Sequence, residues 1–150
     1  NVREAVLATL KDFQSPRIHK MMLKALSDPG KAVRLAALRY LTVYRIKDAI
    51  APISQTIRER TFASREFDER RGWYISLGHI AGEDALPALR GLAEPGRGQA
   101  EVDDAVHLAL LGIRAIRGSK ARAFLQGFAN SCEGNMQLLA HKLLAERKGG

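Results

Sequence analysis

Apolar residues recur along this chain at intervals of three and four. Ile50, Ile53 and Ile57 fall on one face of a helix, as do Leu86, Leu89 and Leu92, and Ala121, Phe124, Leu125 and Phe128. Alternating β-branched runs do not occur, and the dominant residues are good helix formers, Ala, Leu, Arg, Glu and Lys. The spacing predicts helices over 2–13, 16–27, 31–44, 48–60, 68–80, 83–94, 102–116, 119–130 and 134–147. Punctuation agrees. Asp28-Pro29-Gly30 is expected to supply an acidic N-cap and a first-turn proline, and Pro16 and Pro52 fall in first turns, where no amide donor is needed. Gly82 and Gly118 sit where one helix must stop and the next begin, since glycine enters the left-handed region cheaply. Pro95-Gly-Arg-Gly98 reads as a flexible loop between repeats.

The pattern also repeats at a longer period. At a shift of 36, Leu77, Ile80, Gly82, Ala85 and Leu89 meet Ile113, Ile116, Gly118, Ala121 and Leu125. Shifting back by the same step brings Leu41, Ala49 and Ile53 onto Leu77, Ala85 and Leu89. A shift of 31 brings Val2, Arg3, Ala5 and Leu10 onto Val33, Arg34, Ala36 and Leu41, and one of 30 brings Val106, Ala109 and Ile113 onto Met136, Leu139 and Leu143. Each unit is therefore two helices, and the chain is expected to form one all-α domain over 1–150: about four helical hairpins and a closing C-terminal helix.

An acid, Val-Arg, two small residues, a Leu, Ala-Ile and a second helix with spaced apolar residues stand here as Asp28, Val33-Arg34, Ala36-Ala37, Leu41, Ala49-Ile50 and Ile53. This pattern resembles the HEAT repeats of the phycobilisome-lyase-like subclass. The segment from Arg65 to Arg71 and on through Ile80-Ala-Gly82 is similar to a version found in bacterial multi-HEAT proteins. The resemblance covers nearly the whole chain and implies an α-solenoid, often the C-terminal part of a longer protein; the start at Asn1 fits that expectation. It implies no single function, because such repeats serve many.

A lone hairpin cannot bury both apolar faces, so neighbours are expected to stack around a shared core. Small residues such as Ala36, Ala37, Gly72 and Ala109 would let helices approach closely, and the second helices of successive hairpins would line one concave surface. Trp73 meets Ala37 in the repeat register and is expected in the core; the rival reading is a ligand-stacking indole. Arg3, Arg34 and Arg70 share one repeat position. Each is expected to tie its unit to an acid or a helix end next door, rather than to form a ladder for anions.

Charge changes the picture of possible partners. The formal net charge is +8, and neither 29–47 nor 105–132 contains an acid. A basic surface of this kind suits an acidic partner, nucleic acid included, although solubility alone also accounts for it. No apolar run approaches the roughly 20 residues that cross a bilayer, so no membrane partner is expected. One cysteine, Cys132, allows no internal disulfide, which suits a reducing cytoplasm.

Catalytic chemistry finds little footing. His19, His79, His107 and His141 are scattered, none is followed by Glu as in the iron-binding HEAT hydroxylases, and one Cys gives no zinc spacing, so neither a metal site nor a cofactor is expected. Cys132 has no basic neighbour within three residues to stabilise a thiolate. No Gly-x-Ser-x-Gly and no phosphate-binding loop ending in Lys-Ser/Thr occurs. The reading that remains is a non-catalytic scaffold that binds another protein, or another domain of its own chain, on its concave face. The alternative is nucleic-acid binding through a basic face, including a DNA-glycosylase-like HEAT fold. The candidate partner row lies opposite the buried faces of the second helices and holds Lys20, Lys24, Gln55, Arg58, Arg90 and Gln126. A face of that kind accepts a helix or extended segment, or is plain solvated surface.

Overall fold

The structure is a computed structural model that describes residues 2–4 and 15–147. It is all-helical, with no strand among the described residues. The helices are α1 (Pro16–Ala25), α2 (Lys31–Val43), α3 (Ile50–Arg58), α4 (Phe67–Ala81), α5 (Leu86–Ala93), α6 (Asp104–Ala115), α7 (Ser119–Ser131) and α8 (Gly134–Glu146). Every helix predicted from residue 16 onward is present. The one predicted over 2–13 lies mostly outside the described residues, of which 2–4 are helical. The starts predicted at 48 and 83 fall in short 3-10 turns, Lys47–Ala49 and Gly82–Ala85, that lead into α3 and α5. No helix among the described residues is long and apolar enough to cross a membrane.

Local chemistry explains most boundaries. Ser15 caps α1, its hydroxyl accepting from the Ile18 amide at 3.2 Å with Pro16 in the first turn. Asp103 caps α6 by accepting from the Ala105 amide at 2.7 Å. Gly82 ends α4 at φ 62° and Gly118 precedes α7 at φ 112°, where other residues would be strained. Asp28 is a correction. The residue before α2 is Gly30, and no side chain caps that helix. Asp28 stands two residues earlier and folds back on its own turn, its Oδ1 accepting from the Gly30 amide at 2.8 Å. Its other oxygen accepts from Arg3 Nη1 at 2.7 Å.

The segment expected as a flexible loop is also different. Glu94–Gly98 is a 3-10 turn in which Gly96 is buried against Val106, Met136 and Phe128. Arg97 pairs with Glu94, hydrogen-bonds Ser131 and lies over the Phe124 and Phe128 rings. Glycine is needed there for closeness rather than for freedom.

One core runs through the molecule, centred on fully buried Trp73, Tyr40, Leu41, Ile53, Leu89, Ile113 and Phe128. The helices α2, α4, α6 and α8 pack in a row, each against the next. Against this row lie α1, α3, α5 and α7, which make no more than marginal contact with one another. The hairpin phase therefore differs from the expected one. Each of α3, α5 and α7 lies closer to the helix that follows it than to the helix before it. The side-by-side surface belongs to the helices expected as the first of each hairpin, and the expected second helices stand apart.

Candidate functional site

Consider first the arginines at the recurrent repeat position. Arg34 grips Glu69 with two hydrogen bonds, Nε to Oε2 at 2.8 Å and Nη2 to Oε1 at 2.7 Å. Its Nη1 also donates to the carbonyl oxygens of Asp28 and Pro29, both at 2.9 Å. Arg65 and the Trp73 indole N–H complete the shell of Glu69, at 2.9 and 3.0 Å. Burial pushes the Glu69 carboxyl up, but the hydrogen bonds from Arg34 and Trp73 and the charges of Arg34 and Arg65 outweigh it, so its pKa lies below the ordinary Glu value. Arg70 repeats the theme more loosely, 3.6 Å from Asp104, and Arg3 reaches Asp28. These arginines bind neighbouring units and are not free for an anion. Trp73 is wholly buried, as expected of a core residue.

The six residues of the candidate row are all exposed. They lie on α1, α3, α5 and α7, the helices that stand apart, so no packed groove joins them. Lys24 lines a depression with Val2, Met21 and Val33 at one end of the molecule. Arg90 lies over the Phe124 ring at 5.1 Å, and Gln126 donates to Asn130 at 3.3 Å. Lys20, Gln55 and Arg58 have no ion-pair partner among the described residues.

Three further depressions lie along the row of packed helices. One groove of about 370 Å³ runs between α2 and α4 and is lined by Leu35, Arg39, Val43, Arg71 and Ile75, among others. A second, of about 340 Å³, lies over α4, α6 and α8 between Phe67, Arg71, His107, Arg114, Lys142 and Glu146. A third, of about 1070 Å³, opens where α4, α6 and α8 end, beside His79, Arg117 and Arg147. Arg71 lines all three, so the depressions adjoin one another across the row, and together they are called the channel.

Its electrostatics are one-sided. The two acids on the channel are both engaged: Asp68 accepts from Lys31 at 2.9 Å and Glu146 from Arg114 at 2.9 Å. Among the described residues Arg39, Arg71, Arg117 and Lys142 have no ion-pair partner. The two half-buried histidines register this field. Desolvation lowers the pKa of His79, and the charges of Arg45, Arg117 and Arg114 lower it further. Desolvation also lowers that of His107; Asp104 opposes the shift, and Arg71, Lys142 and Arg114 add to it. The floor between the cations is apolar: Leu35, Leu38, Ile75, Leu111 and Leu139.

Sequence reasoning missed this channel, although its signal was present. Leu35, Arg71 and His107 occupy one repeat position at a shift of 36, as do Val43, His79 and Ala115. No three His, Cys, Asp or Glu side chains gather as a metal site among the described residues. Cys132 is buried, and desolvation raises its thiol pKa, the opposite of an activated nucleophile. Comparison with protein-family models, curated proteins and solved structures finds no match.

Proposed function

We propose that this chain is a non-catalytic protein-binding module, a HEAT-type helical stack in build, that holds an extended acidic segment of another protein along α2, α4, α6 and α8. The observation that carries this reading is the imbalance on the channel: four cations unpaired among the described residues above an apolar floor, with both acids already engaged in ion pairs. Apolar and acidic side chains interspersed along an extended peptide would satisfy both features at once. The partner row on α1, α3, α5 and α7 is the rival surface, and nucleic acid is the rival ligand. The channel favours peptide over nucleic acid because its floor is mainly aliphatic, and the three rings on it, Phe67, His79 and His107, are all half-buried, which leaves little ring face for base stacking.

Fluorescence anisotropy with labelled Glu/Leu, Gln/Leu and Lys/Leu peptides, and with duplex DNA and single-stranded RNA, tests the proposal. Only the acidic peptide should bind, and charge reversal of Arg39 and Arg71 should abolish binding. A nucleic acid that binds at physiological salt more tightly than the roughly 10⁻⁴–10⁻⁶ M of non-specific contacts would overturn it.

A further inference from the structure

The end of the channel where α4, α6 and α8 terminate differs from the rest. Arg71, Arg114, Arg117 and Arg147 converge on it with His79, and the one acid among the lining residues, Glu146, is already bound to Arg114. Arg147 is unusual. It is 5% exposed, yet no carboxylate pairs with it among the described residues. Its Nη2 donates to the carbonyl oxygens of Ile116 at 2.6 Å and Gly118 at 2.7 Å, and its buried Nε has no acceptor among the described residues. A buried guanidinium without a counter-ion costs folding energy that a bound anion would recover.

Helix C-termini ordinarily repel anions, because their free carbonyl groups carry about half a negative charge. Here Arg147 covers two of the carbonyls that follow α6, and Arg117 stands between them in sequence. With the Arg114–Glu146 pair set aside, Arg71, Arg117 and Arg147 leave three positive charges against those screened dipoles. A single carboxylate would leave most of that charge unmatched. A phosphomonoester, with about −1.5 to −2 charges at pH 7 and three acceptor oxygens, matches both the charge and the forked donors.

We propose that this pocket is an oxyanion subsite that takes the phosphomonoester of a phosphorylated side chain on the segment lying in the channel. The subsite rests on the peptide-binding reading for the remainder of that ligand. The His79 ring sits on the pocket wall and reports occupancy directly, while exposed His141 on α8 is not among the lining residues and serves as an internal reference.

The experiment follows the His79 ring resonances at fixed pH and ionic strength. The ligands added are inorganic phosphate, O-phosphoserine, acetate, and an acidic Glu/Leu peptide with a central serine or phosphoserine. Phosphoserine should shift His79 saturably and leave His141 unmoved, and acetate should do nothing. The phosphopeptide should bind at least about tenfold more tightly than its serine counterpart, as expected for gaining charge-assisted hydrogen bonds. Arg71→Ala with Arg117→Ala should remove that advantage; both side chains are exposed and unpaired, so unchanged far-UV circular dichroism is expected. Three outcomes overturn the subsite: a linear shift, an equal response to acetate, or a phosphopeptide advantage that survives the double substitution. If the serine peptide binds and phosphorylation adds nothing, the subsite falls and the channel reading stands. If phosphoserine and inorganic phosphate saturate His79 and neither peptide binds, the peptide-borne source falls with the channel reading, and the pocket is a site for small phosphate compounds.

Discussion

Gly78 on α4 lies against Gly112 on α6 with no room for a side chain between them. A Cβ built on Gly78 overlaps the Gly112 carbonyl oxygen and stands 3.0 Å from the Ala115 Cβ. One built on Gly112 stands 3.1 Å from the Tyr74 carbonyl oxygen and from Leu89. This contact brings the middle of the row together. Gly78→Ala has two opposed effects. It gains about 1 kcal/mol of helix propensity, and it forces two backbones apart, which ordinarily costs about 1–3 kcal/mol. The clash is with backbone, which cannot rotate away, so the cost falls at the upper end of that range and a net loss of up to about 2 kcal/mol is expected in urea unfolding. Gly91→Ala, in α5 with nothing within 4 Å, should instead stabilise by about 0.5–1 kcal/mol. Equal stability of the two variants would show that the helices are not in contact at Gly78.

Glu69 is the most connected acid of the core, accepting from Arg34, Arg65 and Trp73. Glu69→Gln keeps the shape and removes the charge. Deleting one partner of a buried pair costs about 3–5 kcal/mol, and the partial exposure of Arg34 and Arg65 reduces this to about 2–3 kcal/mol. Trp73→Phe, which loses only one of these bonds, should cost about 1–2 kcal/mol. Because the folded Glu69 pKa is depressed, its contribution is fully present above the ordinary Glu value of about 4.3 and is lost as pH falls through the lower folded value. The acid limb of the stability curve should therefore flatten in Glu69→Gln. An unaltered limb would mean that Glu69 titrates normally.

How far the sequence reached is visible in these same residues. The helices were legible because apolar spacing, Gly82, Gly118 and Pro16 act locally, within one or two turns. The arginine ties were legible because one position recurs in successive units. The hairpin phase was not, because two helices that alternate along a chain pack equally well with either neighbour. The close approach of Gly78 and Gly112, which joins α4 to α6 in the row, was not legible either, because its role depends on which faces meet. The channel was only partly legible: Leu35, Arg71 and His107 recur at one repeat position, but Arg39, Arg114 and Lys142 do not share it, and only the packing of four helices puts them side by side. Asp28 was misread because an acid before Pro-Gly caps a helix or closes its own turn with the same residues.

The two half-buried histidines predict a second pH effect. His79 and His107 have pKa values lowered in the fold, by desolvation first, with surrounding cations adding to the shift and Asp104 opposing it at His107. Their neutral forms are favoured, so the stability they contribute is present above the unfolded value of about 6.5 and is lost as pH falls below it. The midpoint of thermal unfolding should decline between pH 7.5 and 5.5, before carboxylates titrate. In His79→Gln with His107→Gln the decline should shrink. A parent protein with a flat profile over that range would place both rings in a less positive field than the channel provides.

The final prediction separates the two faces. Charge reversal of Lys20, Lys24 and Arg58 alters the exposed row on α1 and α3, and reversal of Arg39, Arg71 and Lys142 alters the channel. Each set changes the net charge equally, so a difference between them cannot come from long-range attraction alone. Arg90 is left out of the first set because its guanidinium covers the Phe124 ring at 5.1 Å, a contact worth about 0.5–1 kcal/mol at an exposed site, and Glu there would lose it. None of the six chosen side chains has an ion-pair partner among the described residues, so both triple variants should keep the parent's helical signal and unfold within about 1 kcal/mol of it. Binding of an acidic Glu/Leu peptide should survive the first set, weakened at most a few-fold and less so at high salt, where exposed charges at a distance are screened. The second set should abolish binding at every salt concentration, because the reversed charges would lie against the peptide. If instead the first set abolishes binding and the second leaves it intact, the partner sits on the helices that stand apart, and the channel is solvated surface.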